Sequence, residues 1–139
     1  MKTLYKKLFF TTTGLPIIRN IAKPWQGRAC ILCYHRIDKN LKTKQDSHPN
    51  GNLISESAFY KQMQVLSNEY DVLSMDEMSE HLSGPSSDFK VAVTFDDGYR
   101  DNLTVALPIL KKFNIPATIY VTTRFPEGDS WMWWYEIWD

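Results

Sequence analysis

The chain has 139 residues and a formal net charge of zero, because sixteen basic side chains balance sixteen acidic ones. This length supports one domain with a real core and excludes two. The balanced charge excludes a global field that would recruit nucleic acid, and an apolar share of 43% is ordinary for a globular protein.

The first twenty residues, MKTLYKKLFFTTTGLPIIRN, begin with basic side chains as a signal peptide does. Three threonines, Gly14 and Pro16 interrupt the apolar stretch, and no small-x-small cleavage site follows, which argues against a signal peptide. The stretch is also too short and too interrupted to span a bilayer. Residues 1–27 are therefore expected to be an extension that forms either an interfacial helix with peripheral membrane contact or a frayed helix. The expected location is cytoplasmic or membrane-peripheral.

The run RACILCYHRI, residues 28–37, predicts a buried strand that contains two cysteines, Cys30 and Cys33. Residues three apart on a strand point to opposite faces and lie roughly 10 Å apart, beyond the reach of a disulfide. Two small thiols buried in the core are therefore favoured over a redox or zinc pair.

A polar stretch follows, and residues 38–53 are predicted to form a long loop, which in a compact domain is usually functional or disordered. The next segment, residues 55–70, has apolar side chains at helical spacing. Either Ser55 or Ser57 can cap this predicted helix.

A short strand, DVLS, leads into a second predicted helix, in which Ser74 and Glu77 stand in capping-box register. Gly84 with Pro85 ends that helix. The run VAVTF, residues 91–95, then predicts another strand.

Residues 100–114 predict a third helix, which Pro108 should kink. Its apolar positions at helical spacing are Leu103, Leu107 and Leu110. The run ATIYVTT, residues 117–123, predicts a further strand.

Strands that alternate with helices predict parallel pairing in an α/β fold. In such folds, ligands collect at the carboxyl ends of the strands. His35 follows the first predicted strand, and Asp96 and Asp97 follow the third. If the strands are parallel, all three side chains belong to one rim of the sheet.

Two adjacent carboxylates repel each other, and each is costly to desolvate without a positive partner. A divalent metal bound by one of them solves that problem and leaves the other to accept a proton from water. Gly98 allows the backbone to turn without a Cβ where a substrate must approach. The alternative is an ordinary strand-to-helix turn with aspartate caps.

The stretch VAVTFDDGYRDN, residues 91–102, closely resembles the first motif of the polysaccharide deacetylases with a NodB homology domain, carbohydrate esterase family 4. Other segments are similar to that family in the same order, so that the resemblance covers residues 28–139. They are ILCYHRI, FYKQMQVLSNEYDVLSMDEMSEHL, ALPILKKFNIPATIYVTT and the aromatic WMWWYEIW.

The resemblance implies a distorted (β/α) barrel, here only its N-terminal part, which stops after the first catalytic motif. It implies a hydrolase of carbon–nitrogen bonds other than peptide bonds, which removes acetyl groups from N-acetylated or O-acetylated sugars. The implied substrate is a polysaccharide or a lipid-linked saccharide, and the implied cofactor is a divalent metal, often zinc. By the same resemblance Asp96 is the catalytic base, Asp97 a metal ligand and His35 the proton donor.

The family's second motif, His-Ser/Thr-x-x-His, supplies two further metal ligands, and the chain has no histidine pair at that spacing. The expectation is therefore an incomplete domain that is inactive by itself. Two alternatives remain. One is a non-catalytic saccharide-binding remnant of the same fold, and the other is a different α/β hydrolase that uses the paired aspartates on a phosphate or a metal.

The remaining histidines carry weaker signals. His48 lies in the predicted loop, where a solvated side chain is favoured over a substrate contact, and His81 is favoured as a surface residue. Four tryptophans near the C-terminus can stack on sugar rings or pack into a core. They are Trp131, Trp133, Trp134 and Trp138.

Overall fold

Strands and helices alternate along the chain in a computed structural model, which describes residues 28–41 and 53–128. In order, the strands are β1 (Ala29–Tyr34), β2 (Arg36–Asp38), β3 (Leu53–Ser55), β4 (Val72–Leu73), β5 (Lys90–Asp96) and β6 (Thr118–Tyr120). The helices are α1 (Glu56–Glu69), α2 (Met75–Ser83) and α3 (Leu107–Phe113), with a π-helical turn (Asn102–Ala106) directly before α3.

All strand pairs of the described residues are parallel, as the sequence predicts. β1 pairs with β5 along its whole length, from Ala29 opposite Lys90 to Tyr34 opposite Phe95. The other edge of β5 pairs first with β4 and then with β6, while β2 and β3 form a separate two-stranded sheet. The protein therefore has a mixed α/β fold with a parallel sheet, but these strands do not close into the implied barrel.

The core lies between the sheet and the helices α1 and α3. Phe59 and Met63 of α1 are fully buried and belong to one cluster with Val93 and Phe95 of β5. The rings of Phe59 and Phe95 meet edge to face with their centroids 5.9 Å apart. Tyr34 of β1 adds a third ring, 5.1 Å from Phe59. This aromatic contact holds α1 against β1 and β5.

The helix starts follow the predicted capping chemistry. At α1 the cap is Ser55 rather than Ser57, since the Ala58 amide donates to the Ser55 hydroxyl at 3.2 Å. At α2 the capping box is complete: the Glu77 amide donates to Ser74 Oγ, and the Ser74 amide donates to Glu77 Oε2. Both caps use groups within three residues of each other, and for this reason the sequence predicts them well.

The predicted strand 28–37 is broken at His35, so that Arg36–Asp38 joins the second sheet. The break is held by side chains of a distant segment. The Ile37 amide donates to Asp101 Oδ1 at 3.1 Å, and Asn102 Nδ2 donates to the His35 carbonyl at 2.8 Å. These bonds satisfy backbone groups that a continuous strand would pair within its ladder.

The predicted third helix contains the π-helical turn, and its buried face differs from the prediction. Leu110 is buried as expected, whereas Leu103 is 63% exposed. Besides Leu110, the buried apolar positions of this segment are Val105, Ala106 and Ile109. A π-helical turn has more residues than an α-helical one and therefore rotates the residues before it away from the α-helical face. Pro108 lies in the first turn of α3, where it is tolerated.

Several predictions fall outside the described residues: the N-terminal extension 1–27, His48 and the four tryptophans. Among the helices of residues 28–41 and 53–128, none combines the length and apolarity needed to cross a membrane.

Candidate active site

The β1–β5 register brings His35 and Asp96 together at the carboxyl ends of two neighbouring strands. Tyr34 lies opposite Phe95, so the next residue on each strand is also a neighbour of the other. His35 Nε2 is 3.9 Å from Asp96 Oδ2. The two side chains are 29% and 39% exposed, which leaves both accessible to a ligand from solvent. The structure thus places these two predicted site residues side by side.

Cys33 is a third member of this group, although its place in an apolar strand predicts a core position. Its Sγ donates a hydrogen bond to Asp96 Oδ2 at 3.1 Å, and its side chain is exposed. The prediction that Cys33 is a buried core thiol is therefore wrong, whereas Cys30 is partly buried. Cys33 precedes His35 by two residues, and strand alternation alone puts the two side chains on one face.

Partial burial, together with the hydrogen bond to Asp96, raises the pKa of the Cys33 thiol above its usual value. The proton on Sγ that this hydrogen bond requires is therefore retained at neutral pH. The bond orients the Asp96 carboxylate toward β1 and His35.

Asp97 and Gly98 form a tight turn directly after β5, with φ angles of +68° and +69°. Positive φ is unusual for a residue with a Cβ, but aspartate adopts it more readily than most. At Gly98 an added Cβ would lie 3.1 Å from Val121 Cγ2. Glycine is therefore required here by backbone conformation and by the packing of Val121. The expected space for a substrate directly above Gly98 is filled by that side chain.

Asp97 is not part of the donor group around Asp96. Among the described residues, Cys33, His35 and Asp96 are the members of the one group of possible metal ligands, with their donor atoms within 4.8 Å of one another. The turn that follows Asp96 thus separates the two adjacent carboxylates, which repel each other in the same location.

The backbone on both sides of His35 is fixed by the segment that follows the turn. Asn102, which is 2% exposed, donates to the carbonyl of His35. Asp101 accepts hydrogen bonds from Arg36 Nε at 3.0 Å and from the Ile37 amide. The guanidinium of Arg36 also lies 5.0 Å from the centre of the Tyr99 ring. One short segment, residues 96–102, therefore carries the carboxylates and positions the histidine.

His81 lies at the other end of the sheet. Its Nε2 is 2.9 Å from the Asp88 carbonyl, and its own carbonyl accepts a hydrogen bond from Arg28, the residue before β1. Because Arg28 and His35 lie at opposite ends of β1, His81 is remote from the candidate site.

Comparisons with known proteins show which proteins this chain is similar to. Residues 83–134, which include β5 and the Asp96–Asp97 turn, match the polysaccharide deacetylase family model. YxkH of Bacillus subtilis, which carries the name of a polysaccharide deacetylase, is 36% identical over 94 residues. The predicted resemblance to polysaccharide deacetylases is thereby confirmed.

Solved deacetylase structures share the fold of this chain. The Streptococcus pyogenes deacetylase PplD, solved in complex with acetate, is 31% identical with a TM-score of 0.59 over 75% of the chain. A de-N-acetylase from Aggregatibacter actinomycetemcomitans is 29% identical with a TM-score of 0.56 over 66% of the chain. The chain spans 46% of PplD, 36% of the de-N-acetylase and 30% of YxkH.

The residues of this chain supply only part of the divalent-metal site that the family resemblance implies. Asp97 offers one carboxylate at the rim, and the histidines of the described residues, His35 and His81, lie at opposite ends of the sheet. The sequence contains no His-x-x-x-His pair. Within these 139 residues, Asp97 is therefore the single member of the ligand set that the family resemblance implies.

Proposed function

We propose that this chain carries the catalytic base and the proton donor of a metal-dependent deacetylase that acts on acetylated sugars of a polysaccharide. The observation that carries the proposal is the 3.9 Å approach of His35 Nε2 to Asp96 Oδ2 at the carboxyl rim of the sheet. The names of the relatives, including a de-N-acetylase, favour an N-acetyl linkage as the bond that is cleaved. The whole activity belongs to a domain longer than the part that this chain spans.

In the proposed reaction, water attacks the acetyl carbonyl and Asp96 accepts the proton that the water loses. His35 donates a proton to the sugar nitrogen as the carbon–nitrogen bond breaks, which releases acetate and an amine. A carboxylate beside an imidazole suits both steps, because the carboxylate can accept a proton and a protonated imidazole can donate one. Cys33 orients the carboxylate through its hydrogen bond at 3.1 Å.

Zinc is the metal that we propose for the complete domain, with Asp97 as one of its ligands. When bound, the metal supplies Lewis-acid polarisation of the acetyl carbonyl. The turn at Asp97 and Gly98 keeps this ligand next to the base in sequence but outside the Cys33–His35–Asp96 group. The two carboxylates can thereby serve different partners.

The test is acetate release by a chimera in which residues 28–128 of this chain replace the aligned part of PplD. The chimera should release acetate from N-acetylglucosamine oligomers, and Asp96→Asn should lower the rate by about 10²- to 10⁴-fold, the range for general-base catalysis. The matched control is Asp88→Asn, because Asp88 is an exposed aspartate between α2 and β5. A folded chimera that binds the oligomers but releases no acetate would favour the saccharide-binding alternative.

A further inference from the structure

The three side chains that the proposed reaction uses for proton transfer and orientation, Cys33, His35 and Asp96, are also a group of possible metal donors. Cys33 Sγ and His35 Nε2 both approach Asp96 Oδ2, at 3.1 Å and 3.9 Å. Sulfur, imidazole nitrogen and carboxylate oxygen are the three kinds of protein ligand that zinc accepts.

The distances are close to those of a tetrahedral zinc site. Zn–S bonds of about 2.3 Å and Zn–N or Zn–O bonds of about 2.0–2.1 Å place neighbouring donors roughly 3.3–3.6 Å apart. The two separations from Asp96 Oδ2, 3.1 and 3.9 Å, lie on either side of that range, and all three donor atoms lie within 4.8 Å of one another. Small side-chain rotations therefore bring the three donors to three corners of a tetrahedron. The fourth corner faces solvent, because all three side chains are at least partly exposed.

The backbone that carries these donors is held in place. Cys33 and Asp96 lie on paired strands of the sheet. His35 is fixed through its carbonyl by the buried Asn102. A site on such elements loses little conformational freedom when it binds a metal, which favours affinity.

We propose that Cys33, His35 and Asp96 form a zinc site of their own, separate from Asp97. When zinc binds, Cys33 releases its thiol proton to solvent and the thiolate coordinates the metal. Asp96 and His35 are then engaged by the same ion. If the proposed function is correct, this second zinc blocks both proton-transfer groups and excess zinc inhibits deacetylation.

The binding test uses Co²⁺ as a spectroscopic substitute for zinc on the 139-residue chain. Thiolate coordination should give a near-ultraviolet charge-transfer band that saturates at one equivalent and disappears when Zn²⁺ is added. Cys33→Ser should abolish the band, and His35→Gln should weaken Co²⁺ binding at least tenfold. Cys30→Ser and Asp97→Asn are the matched controls and should keep the band. Absence of the band, its survival in Cys33→Ser or its loss in Cys30→Ser would overturn the proposal.

A second measurement needs no variant. Zn²⁺ should slow the alkylation of Cys33 by a thiol reagent at least tenfold, with little effect on Cys30, as read by mass spectrometry of the labelled peptides. Equal protection of both cysteines, or of neither, would contradict the site.

The active chimera separates this inference from the proposed function. Excess Zn²⁺ should inhibit the chimera, and Cys33→Ser should remove that inhibition. A cobalt band in a chimera without deacetylase activity would refute the function and retain the zinc site. Deacetylation by a chimera that gives no cobalt band would refute the zinc site alone.

Discussion

The two faces of the β1–β5 ladder come from alternate residues of the same strands, yet they differ in chemistry and, along β1, in burial. The core face packs against α1 and α3 through Leu32, Tyr34, Val93 and Phe95. The site face carries the reactive groups Cys33, His35 and Asp96, and its Ile31 is 48% exposed. Adjacent residues such as Phe95 and Asp96 therefore serve stability and chemistry separately, so substitutions on the two faces should have separable effects.

The largest effect on stability is expected from the core face. Phe95→Ala should lower the free energy of unfolding by about 3–5 kcal/mol, because it removes a fully buried ring that packs on Phe59 and Tyr34. Cys33→Ser, on the site face of the paired strand, should change it by less than about 0.5 kcal/mol, as for exposed substitutions in general. Urea unfolding of both variants measures the difference. Similar losses in the two would show that the faces do not divide stability from chemistry in this way.

Substitution in the turn directly after β5, at Gly98, should have the next largest effect on the free energy of unfolding. Gly98→Ala must adopt positive φ and also displaces Val121, whereas Gly128→Ala meets no atom within 4 Å. Left-handed backbone costs a residue with a Cβ roughly 1–2 kcal/mol, so both variants should lose about that much. Gly98→Ala should lose more because of the added contact. A larger loss in Gly128→Ala, measured by thermal unfolding, would contradict the role of Val121.

The smallest effect concerns the titration of Tyr34 on the core face. Burial, with a smaller contribution from Cys30, raises the pKa of Tyr34 from 10.0 to about 12. Between these values the unfolded chain loses the phenol proton and the folded chain keeps it, so the unfolding free energy falls as pH rises. Tyr34→Phe should have a flatter stability profile between pH 10 and 12. If the unfolding free energy of Tyr34→Phe falls with pH as steeply as that of the unsubstituted chain, other groups cause the loss of stability at alkaline pH.

The parts of the fold that the sequence predicts depend on neighbours in the chain. The capping box at Ser74 and the strand before Asp96 are set by residues a few positions apart. Alternating elements predict parallel pairing, and parallel pairing predicts that His35 and Asp96 share a rim. The assignment of roles to them rests on family resemblance and stays a prediction.

The parts that the sequence does not predict depend on distant contacts. The break at His35 requires Asp101 and Asn102, which lie more than sixty residues away in the chain. The exposure of Leu103 follows from the π-helical turn, and no local pattern marks that turn. The exposure of Cys33 depends on what covers the site face, which strand alternation cannot specify.

The division of labour between the two adjacent carboxylates is tested most directly by one pair of variants of the chimera. Asp96→Asn and Asp97→Asn both remove a charge, and asparagine tolerates the positive φ of Asp97. Both are made in the Cys33→Ser background, so that the second zinc site does not contribute. Bound zinc and acetate release are then measured on the same samples. Asp96→Asn is expected to keep zinc and lose the rate, whereas Asp97→Asn is expected to lose both. Equal zinc loss in the two variants would contradict this division of roles.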